Sequence, residues 1–228
     1  MHLDIYYIIL VVPMLILSLA CQARVSSTFK KYSKAGNTRG LTGAEAAKAI
    51  LKREGLFDVK VERVAGRLTD HYDPRTKILR LSDSVYSSAS VAAVGVAAHE
   101  TGHAIQHSER YAWLWLRSSI VPVANIGSSI GPYLAILGLV FGMDIFITAG
   151  ILLFSAAVIF YLITLPVEFD ASGKALEVLE RDGLLTSNEL AGSRKVLQAA
   201  AMTYVASALT AVASLARLVM LSRNRRRD

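Results

Sequence analysis

The chain has 228 residues, of which 53% are hydrophobic, and a mean hydropathy of +0.42, too apolar for an ordinary soluble domain and arranged in blocks. It reads as a mainly α membrane protein with three to four transmembrane helices. The net charge of +7 does not point to nucleic acid, because the basic residues flank apolar segments, where anionic headgroups and orientation signals account for them. The single cysteine, Cys21, excludes an intramolecular disulfide and a cysteine-rich metal site, which leaves histidines and carboxylates as the ligands for any ion.

Residues 1–23 read as an N-terminal transmembrane anchor. Ile5 to Ala20 carries no charge and reaches spanning length with Leu3 and Cys21 to Ala23. No basic stretch precedes it, while Arg24, Lys30, Lys31, Lys34 and Arg39 follow, so it reads as uncleaved rather than as a signal peptide.

Residues 24–118 form the region that carries the chemistry. Thr42 and Glu45 have the spacing of a capping box, which predicts a helix over Ala44 to Glu54 stopped at Gly55. Val59 to Val64 and Lys77 to Leu81 alternate apolar and polar residues on either side of the turn signal Tyr72-Asp-Pro-Arg75, which predicts short strands. The second is either an edge on which an extended peptide can pair or one arm of a plain hairpin. A further helix, opened by Ser88 or Ser90, runs over Val91 to His107 and is rich in Ala and Val, as a packed central helix should be.

That helix carries His99-Glu100-Thr101-Gly102-His103. Two histidines four residues apart fall on one helical face, about one turn from each other, so that both imidazoles can bind one zinc ion. Glu100 points to the same side, where it can act as base toward a water on the metal. His107 extends the series, but it lies about 12 Å along the axis from His99, too far for one ion to bind all three.

Residues 119–165 read as a transmembrane hairpin. Ser119 to Met143 and Ile145 to Leu165 are apolar, Asp144 is the only charge between them, and Gly127 and Gly131 give the first arm a small-residue spacing. Two spans return the chain to the side it left, so residues 166–198 share a compartment with residues 24–118. A catalytic zinc needs a third protein ligand and an open position for water. The first carboxylates after the hairpin are Glu168 and Asp170, and Glu168 is the expected ligand, with Asp170 and His71 as rivals. Asp170 is otherwise expected to hold a histidine Nδ1–H. Val167 to Arg181 reads as a charged helix closed near Gly183, and Thr186 to Glu189 as a second capping box. Residues 199–228 form an apolar helix that either spans or lies on the membrane, followed by an arginine-rich tail.

The segment AHETGHAIQH, the hairpin after it and the segment LPVEFDAS together resemble the YugP-like neutral zinc metallopeptidases of bacteria and, more distantly, the HtpX-like membrane metalloproteases. The resemblance covers nearly the whole chain. It implies a small α+β, gluzincin-like peptidase domain that binds one Zn²⁺ through His99, His103 and Glu168, with Glu100 as catalytic base. Such an enzyme hydrolyses peptide bonds with a zinc-activated water, here in membrane-associated or misfolded polypeptides. In HtpX-like enzymes the third-ligand segment reads E-x-x-x-D and the Asp supports the site. Ser172 stands at that position here, and Asp170 is the substitute.

The resemblance also implies an integral protein of the bacterial cell membrane, embedded in the lipid bilayer. The five basic residues after the anchor and the HtpX-like resemblance agree on a cytoplasmic catalytic side, whereas four complete spans would send the terminal arginines outward. Two other function classes stand beside the peptidase: a zinc-binding membrane regulatory protein without proteolytic turnover, and a structural membrane protein whose histidines bind no metal. The sequence carries no signal for oligomeric state.

Overall fold

The computed structural model describes residues 4–66 and 68–225; the first three residues of the anchor and the last three of the arginine-rich tail lie outside them. The described chain is mainly helical. A π-helical turn, Tyr7–Val11, leads into α1 (Val12–Tyr32), followed by α2 (Gly43–Arg53), β1 (Lys60–Val64), β2 (His71–Asp73) and β3 (Ile78–Ser82). Then come α3 (Asp83–Tyr86), α4 (Val91–Ser108), α5 (Ala112–Phe141), α6 (Asp144–Arg181) and α7 (Ser187–Arg225). Among the described residues, four helices are long and apolar enough to cross a membrane: Tyr7–Tyr32, Ala112–Phe141, Asp144–Arg181 and Ser187–Arg225. The described residues divide into two compact units, one of residues 4–22, 115–166 and 202–225, the other within residues 23–114 and 167–201.

In the first unit α5 and α6 pack against each other as a helical hairpin. Their turn is tight because Gly142 takes a left-handed conformation, φ +77°. The arms approach closely at Gly127, where a Cβ would stand 2.0 Å from the Leu153 carbonyl oxygen, so that only glycine fits. Ala135, Phe154, Ala157 and Val158 of the hairpin pack with Ala211 and Leu218 of α7. The far end of α7 is held by charge. Arg217 bonds Asp4 through Nε at 2.9 Å, and Arg225 donates to the Gly138 and Gly142 carbonyls and pairs with Asp144 at 3.5 Å. The end of α7 therefore lies beside both Asp4 and the α5–α6 turn. Residues 199–225 continue α7, one of the four helices long and apolar enough to cross a membrane.

The second unit is built around α4. Ser90 caps it by accepting from the Ala93 backbone N–H. On one side Ala92, Ala93 and Ala97 pack with Ala47 and Leu51 of α2, Leu79 and Leu81 of β3 and Val85 of α3. On the other Val94, Ala98 and Ile105 pack with Ile50 of α2 and with Ala175, Val178 and Leu179 of α6. A helix buried on both sides needs no polar face, which explains its Ala/Val composition. The Thr42–Glu45 capping box of α2 forms in full.

One expectation is corrected here. The strands are not a simple hairpin: the order is β1-β3-β2, with β1 parallel to β3 and β2 antiparallel to it. The turn after Asp73 joins β2 to β3, so Lys77 to Leu81 is the central strand and its backbone groups are already paired. Leu79 and Leu81 are fully buried, as a middle strand requires. The charged helix expected over Val167 to Arg181 is present, as the last part of α6. It continues α6 through Pro166, which removes one backbone hydrogen bond without ending the helix.

Candidate metal centre

Helices α4 and α6 meet at Gly102. A Cβ there would lie 2.4 Å from the Ala171 carbonyl oxygen and 3.2 Å from Ala171 Cα, so the α6 backbone occupies the space that any other side chain would need. The glycine costs about 1 kcal/mol of helix propensity. In return it lets α6 come close enough for Glu168, one turn before Ala171, to face both histidines.

Among the described residues, one group of three His, Cys, Asp or Glu side chains could hold a metal ion: His99, His103 and Glu168, whose ligand atoms all lie within 4.8 Å of one another. Glu168 Oε2 stands 3.3 Å from His99 Nε2 and 3.7 Å from His103 Nε2. In a tetrahedral site with ligands at about 2.0–2.1 Å the ligand atoms are about 3.4 Å apart, close to the two distances from Glu168 to the histidines. Glu168 is 2% exposed. Burying a carboxylate this deeply is costly unless a cation or several donors meet it, which the same position would provide for a metal.

The imidazoles are aimed from behind. His99 Nδ1 lies 3.2 Å from Ser172 Oγ, and His103 Nδ1 lies 3.0 Å from Gln106 Oε1. With Nδ1–H donating backward in each ring, Nε2 keeps its lone pair toward the centre, the form that ligates a metal. Asp170 does not reach a histidine. Its Oδ2 accepts from Gln106 Nε2 at 2.7 Å and lies 4.0 Å from Lys174 Nζ. Burial alone would depress the His103 pKa, but the Glu168 carboxylate 3.7 Å away and the charge of Glu100 outweigh it and hold the imidazole above its usual value. Glu100 is itself 8% exposed, buried beside the cluster.

The remaining histidine candidates stand apart. His71 is exposed, with Nδ1 at 2.8 Å from the Thr69 carbonyl. His107 Nδ1 is 2.9 Å from the Tyr72 hydroxyl, which burial, joined by the Asp58 and Asp73 charges, pushes up to about 12. His107 Nδ1 is thus engaged by Tyr72 of β2, away from the His99, His103 and Glu168 cluster. Gln106 was missed by sequence reasoning, although one turn past His103 it shares the motif face and is the one amide in a run of buried small residues.

The family model described as "Putative neutral zinc metallopeptidase" matches residues 7–223. The chain is 50% identical over 220 residues, 96% of its own length and 98% of the relative's, to the "Putative membrane protease YugP" of Bacillus subtilis (strain 168). No solved structure matches it. With nearly the whole chain inside the family model and half of it identical to a curated member, this protein belongs to the neutral zinc metallopeptidase family.

Proposed function

We propose that the chain is a membrane-embedded zinc metalloendopeptidase whose small α+β unit is gluzincin-like. His99, His103 and Glu168 are the ligands and Glu100 the general base. The observation that carries this reading is the convergence of the two Nε2 atoms on a buried Glu168 carboxylate, 3.3 and 3.7 Å away, beside a second buried carboxylate, Glu100. When bound there, zinc supplies Lewis-acid polarisation of the scissile carbonyl and an acidified water. The protein's own groups do the rest. Glu100 takes the proton of the attacking water and returns it to the leaving amine, so no covalent intermediate is needed. Ser172 and Gln106 keep the imidazoles from turning.

Glu168 is two residues past Pro166, where the chain leaves the unit that holds the apolar hairpin. This closeness along α6 supports a centre near the bilayer surface and substrates drawn from the loops or ends of membrane proteins, or from misfolded membrane-associated chains. With β3 central in its sheet, the edge strand β2, tied to α4 through Tyr72 and His107, takes over as the strand along which an extended substrate lies. Metal analysis of the purified chain is expected to give one zinc per molecule, and a chelator to abolish cleavage of such substrates until zinc is restored. Cleavage that proceeds in metal-free protein would overturn the reading.

The catalytic side is proposed to be cytoplasmic. Arg24, Lys30 and Lys31 lie in the C-terminal part of α1 and Lys34 and Arg39 just beyond it, and together they carry the orientation signal. At the opposite end of the helices Arg217 and Arg225 are paired with Asp4 and Asp144, which lowers the cost of moving them across a bilayer. In a Cys21→Ser background, Met143→Cys is expected to react with an impermeant maleimide in intact cells, and Lys52→Cys only after permeabilisation. The reverse pattern would turn the protein over.

A further inference from the structure

Gln106 is fully buried, and each polar atom of its side chain is committed. Nε2 donates to the Val167 carbonyl at 2.8 Å and to Asp170 Oδ2 at 2.7 Å, both on α6. Oε1 faces His103 Nδ1 at 3.0 Å. Which end of an amide is nitrogen follows from its partners. A backbone carbonyl and a carboxylate accept only, so the NH₂ must face α6 and the oxygen must face the histidine. An oxygen there requires a proton on Nδ1, and a neutral imidazole protonated at Nδ1 has its lone pair at Nε2.

We propose that Gln106 is a positioning residue that fixes the His103 tautomer competent for metal, and that it does so only when α6 is seated. The acceptors that orient its amide, Val167 and Asp170, flank Glu168 in sequence. The turn of α6 that delivers the third ligand therefore also sets the second, through Gln106. Without α6 the amide is free to turn over, to present its NH₂ to Nδ1 and to leave Nε2 protonated and unable to ligate. The two helices thus assemble the site together rather than one ligand at a time. Asp170 acts in this chain as an acceptor, and its charge is incidental.

This inference rests on the metallopeptidase reading, and the test separates the two. The full-length chain in detergent is titrated with zinc against a chromophoric chelator, and the visible spectrum of its Co²⁺ form is recorded. Gln106→Leu is expected to bind zinc about 10- to 100-fold more weakly than wild type and to show a changed Co²⁺ spectrum. Asp170→Asn keeps an acceptor oxygen and is expected to bind near the wild-type affinity, whereas Asp170→Leu shows an intermediate loss because Val167 still holds the amide. Should Gln106→Leu fail to fold, the partly exposed Asp170 pair decides. Equal affinities for Asp170→Asn and Asp170→Leu overturn the proposal, as does a folded Gln106→Leu with wild-type affinity and spectrum. A wild type that takes up no zinc overturns the metallopeptidase reading itself.

Discussion

Glu100→Gln is expected to retain the zinc and lose the reaction. The substitution keeps the size and shape of a side chain that is 8% exposed, so packing around α4 is little disturbed, and it removes none of the three ligand atoms. It does remove the one buried carboxylate beside the centre that is not committed as a ligand. A positioned general base contributes about 10²- to 10⁴-fold to a rate, or about 3–5 kcal/mol of barrier. Turnover on an unstructured polypeptide and on a membrane-protein substrate is therefore expected to fall by that factor while zinc content stays at the wild-type value. The pairing of the two measurements gives the variant its power. A chain that binds zinc only to regulate or to hold its fold would show no dependence on position 100, and cleavage persisting in Glu100→Gln would remove the mechanism proposed here.

Much of this site was legible along the chain because its main parts are local or are forced by topology. The histidine spacing needs only helical periodicity, and the Ala/Val run before it needs only burial on both sides, which the two core clusters around α4 provide. Glu168 lies 65 residues beyond His103 in the chain, and the expectation that it shares a compartment with the histidines rests on two apolar segments that would return the chain to the side it left. The structure brings that carboxylate to both histidines.

What escaped has a common physical cause: it depends on pairings between distant segments that no local pattern encodes. The alternation in Lys77 to Leu81 marks a strand but not its neighbours, so a central strand paired on both edges reads equally as a free edge or as one arm of a hairpin. Continuity of α6 through Pro166 depends on the packing of Val167, Ala171 and Ala175, all fully buried, which outweighs the local cost of proline. The exchange of roles between Asp170 and Ser172 is of the same kind. Four residues past Glu168, Ser172 comes round to His99, while Asp170 points to the other side of α6 and meets Gln106. Helical phase could have suggested this, but the identity of the partner at each phase belongs to α4.

Gly102 is where those distant pairings become a single testable point, since the residue supplies no ligand, no proton and no hydrogen-bonding side chain. Gly102→Ala places a methyl group 2.4 Å from the Ala171 carbonyl oxygen, and because the obstacle is backbone it cannot swing aside as a side chain would. Ordinary contact needs about 3.4 Å or more, so α6 must withdraw by about an ångström. Metal–ligand distances tolerate about 0.2 Å, and a 1 Å misplacement at a reacting centre costs roughly 10²-fold in rate. The variant is therefore expected to lose zinc affinity and activity together, with His99, His103 and Glu168 all still present, and to resemble Glu168→Ala more closely than Glu100→Gln. In helices free of tertiary contact the same substitution stabilises, by about 1 kcal/mol. A Gly102→Ala protein that melts higher than wild type and binds zinc as tightly would mean that α6 does not approach α4 as closely as Glu168 requires, and the third ligand would have to be sought elsewhere.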